Sequence, residues 1–280
     1  MAVMDSSSGI GSNSVLAHVL RRCWLQRQLF FKLLRRDFAE RYRGSFLGVA
    51  WSLLLPLLSL SVFTFFFGVI FKMRWAGSDG SLGDLALVLF IGITLYNFLA
   101  ECLNRAPGLI LGHQNYVKNV IFPLEMLPAV MVASAVLTLS ATLLIILLLQ
   151  ATVGSGLSWT AVLLPLIVLP LVLVALGLSW FLSALGVYIR DIQQLVVPLV
   201  QLLMFISPVF YPISHLPESV RFWLKLNPLA WVIEQTRGIL LFGQPPPWQS
   251  YLLCLGASLL IALLGAYWFA RTRKGFADVL

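Results

Sequence analysis

From about residue 46 onward, apolar residues run along this chain in long stretches almost free of charge. Six stretches, 46–71, 85–103, 126–150, 161–187, 193–212 and 250–270, approach or exceed the roughly 20 residues a helix needs to cross about 30 Å of hydrocarbon. Met126 to Ile189 contains no Asp, Glu, Lys or Arg, and the break Gly154-Ser155-Gly156 divides it into two spans. Two of the six are marginal. Asp84 and Glu101 bracket the second closely, and Pro208 and Pro212 interrupt the fifth, where proline removes a donor and clashes with the preceding turn.

Shorter patterns fill the intervals. Leu16, Leu20, Cys23, Trp24, Phe30, Phe31, Leu34 and Phe38 share one side of a helical wheel, with Arg21, Arg22, Lys32, Arg35 and Arg36 mostly opposite. This is the pattern of an amphipathic helix lying along a membrane surface. Arg27 falls on the apolar side and marks either snorkelling or a protein contact. Pro107 and Pro123 frame a short helix over 108–122, with Leu109, His113, Tyr116 and Val120 on one face; it either rests on the membrane or docks into a partner. Between spans five and six, Pro228 to Gly243 is apolar but too short to cross, so a re-entrant or interfacial helix is expected, with Glu234 and Arg237 three apart and able to pair. The chain therefore divides into a 1–45 N-terminal segment, a 46–270 membrane domain and a 271–280 tail. The fold class is an all-α integral membrane protein with six transmembrane helices, an N-terminal interfacial helix and short external helices.

Composition agrees, since 60% hydrophobic and 11% charged residues leave too little charge to cover a soluble globule of this length. With both termini in the cytoplasm, 14 of the 19 basic residues lie on that side, leaving Lys72, Arg74, Arg221, Lys225 and Arg237 outside. The net charge of +8 then serves anionic lipid, not nucleic acid. The first apolar run is too long for a signal-peptide core and is read as a retained helix.

Several chemistries are missing from the sequence. The 11 carboxylates lie in loops or near span ends, where no ion-coupling site is expected. No lysine is followed by Ser or Thr, so there is no P-loop. Cys23, Cys102 and Cys254 are scattered, without metal-ligand spacing. Asp37, Glu40 and Asp191 are expected to pair with arginines and not to build a catalytic cluster. The chain reads as a conduit that another subunit energises. An exporter of drugs or lipids and a membrane enzyme of cell-envelope synthesis are the alternatives, and the missing carboxylate clusters argue against the enzyme.

A set of motifs narrows this further. Arg36-Asp37, then Arg41-Tyr42-Arg43-Gly44-Ser45-Phe46-Leu47-Gly48, Trp51-Ser52 and Pro56 precede or open the first span. Phe67-Gly68-Val69-Ile70-Phe71, Phe122-Pro123, Tyr188-Ile189-Arg190-Asp191, Ser207-Pro208-Val209-Phe210-Tyr211 and Asn227-Pro228 follow. In order and spacing these resemble the permease subunits of type 2 ABC transporters, in the branch exporting O-antigen, capsule and teichoic-acid polymers. The resemblance implies a homodimer in the bacterial inner membrane above two cytoplasmic ATPase subunits. Those subunits would bind the ATP and Mg, leaving no cofactor on this chain, and the substrate would be a lipid-linked polysaccharide. It also implies that the surface helix, with Arg27, and the 108–122 helix contact the ATPase, and that spans one and five line a channel on the two-fold axis. Gln194 and Gln201, seven apart on one face of span five, then form a polar stripe leading to Phe210, Tyr211, Trp223 and Trp231. Those rings either belt the membrane or stack on sugar at the exit.

Overall fold

A computed structural model describes residues 26–42, 48–72, 75, 82–114, 122–152, 154, 156–213 and 216–280, and these form helices joined by turns and linkers, without strands. Four helices are long and apolar enough to cross a membrane: α3 (Leu82–Arg105), α4 (Met126–Thr152), α5 (Leu164–Tyr188, led in by a 3₁₀ turn from Trp159) and α9 (Trp248–Thr272). Two apolar helices are shorter, α2 (Trp51–Thr64, running on as a π-helix over Phe65–Ile70) and α6 (Ile192–Ile206). The surface helix α1 (Arg27–Tyr42), the short α7 (Glu218–Lys225), α8 (Pro228–Leu241) and a C-terminal turn of helix, α10 (Phe276–Val279), complete the described α-helices. The uncharged stretch does fold as two helices. The part of the expected interfacial helix that precedes residue 26, with Leu16, Leu20, Cys23 and Trp24, lies outside the described residues.

The second span, marginal by its flanking charges, is the hub of the bundle. It runs 24 residues, is buried at every position from Leu87 to Tyr96, and packs against α2, α4, α5, α6 and α8. Asp84 and Glu101 lie inside the helix and do not bound it, because Glu101 and Arg105 find ion partners on α1. The fifth span is correctly marginal: α6 stops at Ile206, one residue before Ser207 turns extended (φ −92, ψ 150) ahead of Pro208.

The closest helix pairing is α5 with α9. A Cβ on Gly177 would fall 2.5 Å from the Ile261 carbonyl oxygen, and one on Gly265 would collide with the Gly177 carbonyl. Association of helices in lipid depends on close van der Waals contact, and bare backbone at both positions permits it. Trp180 of α5 is buried and donates its indole N–H to the Glu125 carbonyl at 3.1 Å, while Arg273, beyond α9, pairs with the Glu125 carboxylate. The tail is thereby fixed to the bundle, and Phe276 packs edge-on to Phe269 and Tyr188.

Candidate functional site

Two polar assemblies stand at opposite ends of α3. At its C-terminal end, Asp37 and Arg41 are one turn apart on α1 and meet Glu101 and Arg105, one turn apart on α3. Arg105 donates to Asp37 at 2.7 Å and to Glu101 at 3.4 Å, and Arg41 pairs with Glu101 and donates to the Thr138 hydroxyl of α4 at 3.0 Å. Arg36 pairs with Glu40 on the exposed side at 2.8 Å. Both helices carry an acid followed four residues later by an arginine, and that repeat was the signal in the sequence, but nothing there said which helices would meet. Asp37 and Glu40 pair with arginines as expected. Asp191, expected to do the same, is exposed before α6 and makes no ion pair among the described residues.

Of the motif before the first span, Arg36, Asp37 and Arg41 are thus placed on α1, Tyr42 is its last residue, and Arg43 and Gly44 lie outside the described residues. Leu109 is buried, and the imidazole Nδ1 of His113 is 2.8 Å from its carbonyl. Both line a small cleft beneath Leu33, Arg36 and Asp37 of α1, so they face the protein's own surface helix. The chain from 106 to 113 is turn and 3₁₀ helix where a continuous helix from 108 was expected; Tyr116 and Val120 lie outside the described residues. Arg27 opens α1 in an exposed position, and on that helix Phe31, placed on the apolar side by its spacing, is exposed as well.

At the other end the broken helix is held by one side chain. Arg237 of α8 is buried to 2% exposure and donates to three main-chain carbonyls: Pro208 at 2.7 Å, Val209 at 2.8 Å and Val88 at 3.1 Å. It also pairs with Glu234 at 3.1 Å, the expected i, i+3 partner, and lies over the Trp75 ring at 4.7 Å. Proline ends α6 and leaves carbonyls without helical donors in the middle of a membrane protein, where an unmet acceptor is expensive. The five-donor guanidinium meets two of them at once. Space for it comes from Gly92 of α3, where a Cβ would stand 2.8 Å from the guanidinium and 3.0 Å from the Val209 carbonyl. Asn227 binds the same turn, donating to the Ser207 hydroxyl at 3.0 Å while capping α8 through the Leu229 N–H at 3.0 Å. Sequence reasoning saw the Arg237–Glu234 spacing but missed the carbonyl clamp, because both carbonyls belong to residues nearly 30 positions away.

The exit residues separate. Phe210 is buried against Phe63 and Phe67 of the first span, with ring centroids at 4.8 and 5.3 Å. The Tyr211 hydroxyl donates to the Phe205 and Ile206 carbonyls at 2.9 and 3.1 Å, closing the frayed end of α6. Trp231 donates to the Ser250 hydroxyl at 3.3 Å and packs on Tyr251. Trp223 meets the neighbouring Phe222 ring edge-on at 5.9 Å and is otherwise exposed, at 71%. Gln194 and Gln201 share the exposed side of α6, whose buried residues are Val196 and Val200.

Against known proteins, residues 28–241 match the family model described as ABC-2 type transporter. An O-antigen export system permease protein of Myxococcus xanthus is 26% identical over 265 residues, covering 94% of this chain and 99% of the relative. Two proteins of that name from Klebsiella pneumoniae are 22% and 23% identical over 90% of this chain and 95% of their own length. With the long apolar helices, the family match over most of its length makes this chain a multi-pass membrane transport subunit, a member of the ABC-2 type transporter family.

Proposed function

We propose that the chain is the permease subunit of an ATP-driven exporter of a lipid-linked polysaccharide of the O-antigen kind across the bacterial inner membrane. The match over nearly the whole length of O-antigen export permeases carries this reading. The four long and two shorter apolar helices then make six crossings, with both termini in the cytoplasm and α7 and α8 on the outer side, α8 as a re-entrant helix. Two copies face each other through α2 and α6, whose outward faces expose Leu58, Val62, Phe65, Leu199, Leu202 and Phe205 beside the Gln194 and Gln201 stripe. These side chains are exposed among the described residues, which suits a channel assembled between two copies. Tyr211, tied to the last carbonyls of α6, follows the end of that stripe, and Phe210, Trp223 and Trp231 would act at the exit from their separate positions. Two ATPase subunits carrying ATP and Mg dock beneath α1, near Arg27, and the 108–122 segment.

Deleting the gene should abolish surface polysaccharide and leave its lipid-linked form inside, with return on complementation. The purified chain should hydrolyse no ATP until the partner ATPase is added. Unchanged surface polysaccharide in the deletion, with sensitivity to amphiphilic drugs in its place, would overturn the assignment.

A further inference from the structure

A cavity of about 610 Å³ opens between α2, α3 and α4 of the single chain. That volume lies within the roughly 300–1,000 Å³ of small-molecule sites. Arg41, Glu101 and Arg105 line one end of it, and its walls include Trp51, Leu55 and Phe98. Asn97 lines it and is the one exposed residue between Leu85 and Ala106 on the otherwise most enclosed helix. Thr94, also in the lining and three residues before Asn97 on α3, is 5% exposed, and its hydroxyl has no partner among the described residues. Ser59 of α2 and Thr138 and Thr142 of α4 complete the polar lining.

The depth of this lining identifies its occupant. From Arg105 to Thr94 is 11 residues of helix, about 16 Å, roughly half the thickness of a bilayer core. A phospholipid would bring a polar head to the arginines but acyl chain to Asn97 and Thr94, wasting an amide and a hydroxyl in hydrocarbon. A bare anion fits poorly too. Glu101 already lies between the two arginines, and Asp37 neutralises Arg105 from behind. What matches is a neutral group with hydroxyls along its edges and apolar faces, set against an amide, several hydroxyls and the Trp51 and Phe98 rings.

Resting on the export reading, we infer that this cavity binds saccharide units of the lipid-linked glycan inside each subunit, before or beside the path between the two copies.

The test places a photoreactive amino acid at Asn97 of the full-length chain, in cells assembling the whole transporter and making their own glycan. Leu144, exposed on α4, serves as the lipid-facing control and Gln201 as the probe of the α6 stripe. Illumination should convert the Asn97 variant into a ladder stained by periodate oxidation, absent from Leu144 and from cells that make no glycan. No adduct, meaning water alone, or a phospholipid adduct identified by mass overturns the inference. A glycan ladder from Gln201 without one from Asn97 sinks the cavity and leaves the export reading standing. Should the Asn97 variant fail to assemble, the same residue at Ser59, across the cavity, is judged by the same criteria. In parallel, Asn97→Leu should lower export about tenfold with the assembled complex unchanged, the effect of about 1.4 kcal/mol of lost binding. Unchanged export in that variant would also count against the site.

Discussion

Replacing Arg237 by methionine keeps a long apolar stem and removes every donor. Val88 lies within α3, where its carbonyl belongs to the helical ladder, so the loss falls chiefly on Pro208 and Val209, whose carbonyls follow the end of α6. A buried acceptor left unmet costs about 1–3 kcal/mol, or about 2–6 kcal/mol for the two. Removing a desolvated charge returns part of that. Glu234, at 34% exposure, is not stranded when its partner goes, so the usual penalty of breaking a buried pair is not added. A net loss of about 2–4 kcal/mol follows, which for a chain of this size is a fall in melting temperature on the order of 10 °C. Lysine keeps the charge but not the planar fork, and should fall between methionine and the parent. Glu234→Gln removes only a half-exposed charge and should stay within about 1 kcal/mol. Size-exclusion of the detergent-solubilised transporter after graded heating gives the ranking, with surface polysaccharide read from the same strains. An Arg237→Met protein that melts within about 2 °C of the parent would refute the clamp. So would a Glu234→Gln protein as unstable as Arg237→Met, since the ion pair and not the carbonyls would then be decisive.

Arg41→Glu should release α1 from the bundle, raising its protease sensitivity, and Arg41→Glu with Glu101→Arg should recover part of the loss, with about 1 kcal/mol of coupling in the cycle; no recovery would separate the two residues. Gly265→Val should abolish membrane accumulation, because its side chain must enter the Gly177 backbone, whereas Gly256→Ala, with nothing within 4 Å of its Cβ, should accumulate normally by immunoblot. Tyr211→Phe keeps the ring but loses both hydroxyl contacts, costing about 1 kcal/mol of thermal stability, while Trp223→Leu should leave stability unchanged, so that any fall in its surface polysaccharide reports on the glycan. Tyr116→Ala should weaken co-purification of the ATPase by about 2 kcal/mol with the permease intact; undiminished co-purification would remove the 108–122 segment from the interface.

By itself the sequence determined the solvent, the helical class and the positions of most helices, because each of these follows from local quantities. An apolar run has its length whatever packs beside it, Pro208 ends a helix wherever that helix lies, and the uncharged stretch from Met126 to Ile189 must turn at its glycine break. The family was legible for the same reason, carried by short motifs in fixed order. Only tertiary structure decided which run is central and which polar groups meet. Glu101 looks like a boundary until α1 arrives with Asp37 and Arg41, and then it and Arg105 are ion partners within the last turns of α3. Phe210, Tyr211 and Trp231 look alike as exit aromatics, yet one packs on the first span, one ties a helix end and one bonds to Ser250, since a ring's partners come from distant segments. Arg237 reads as an external cation with one neighbouring carboxylate. Bringing α8 against α3 and the end of α6 turns it into the donor for carbonyls that proline had released, and no periodicity within α8 encodes that meeting.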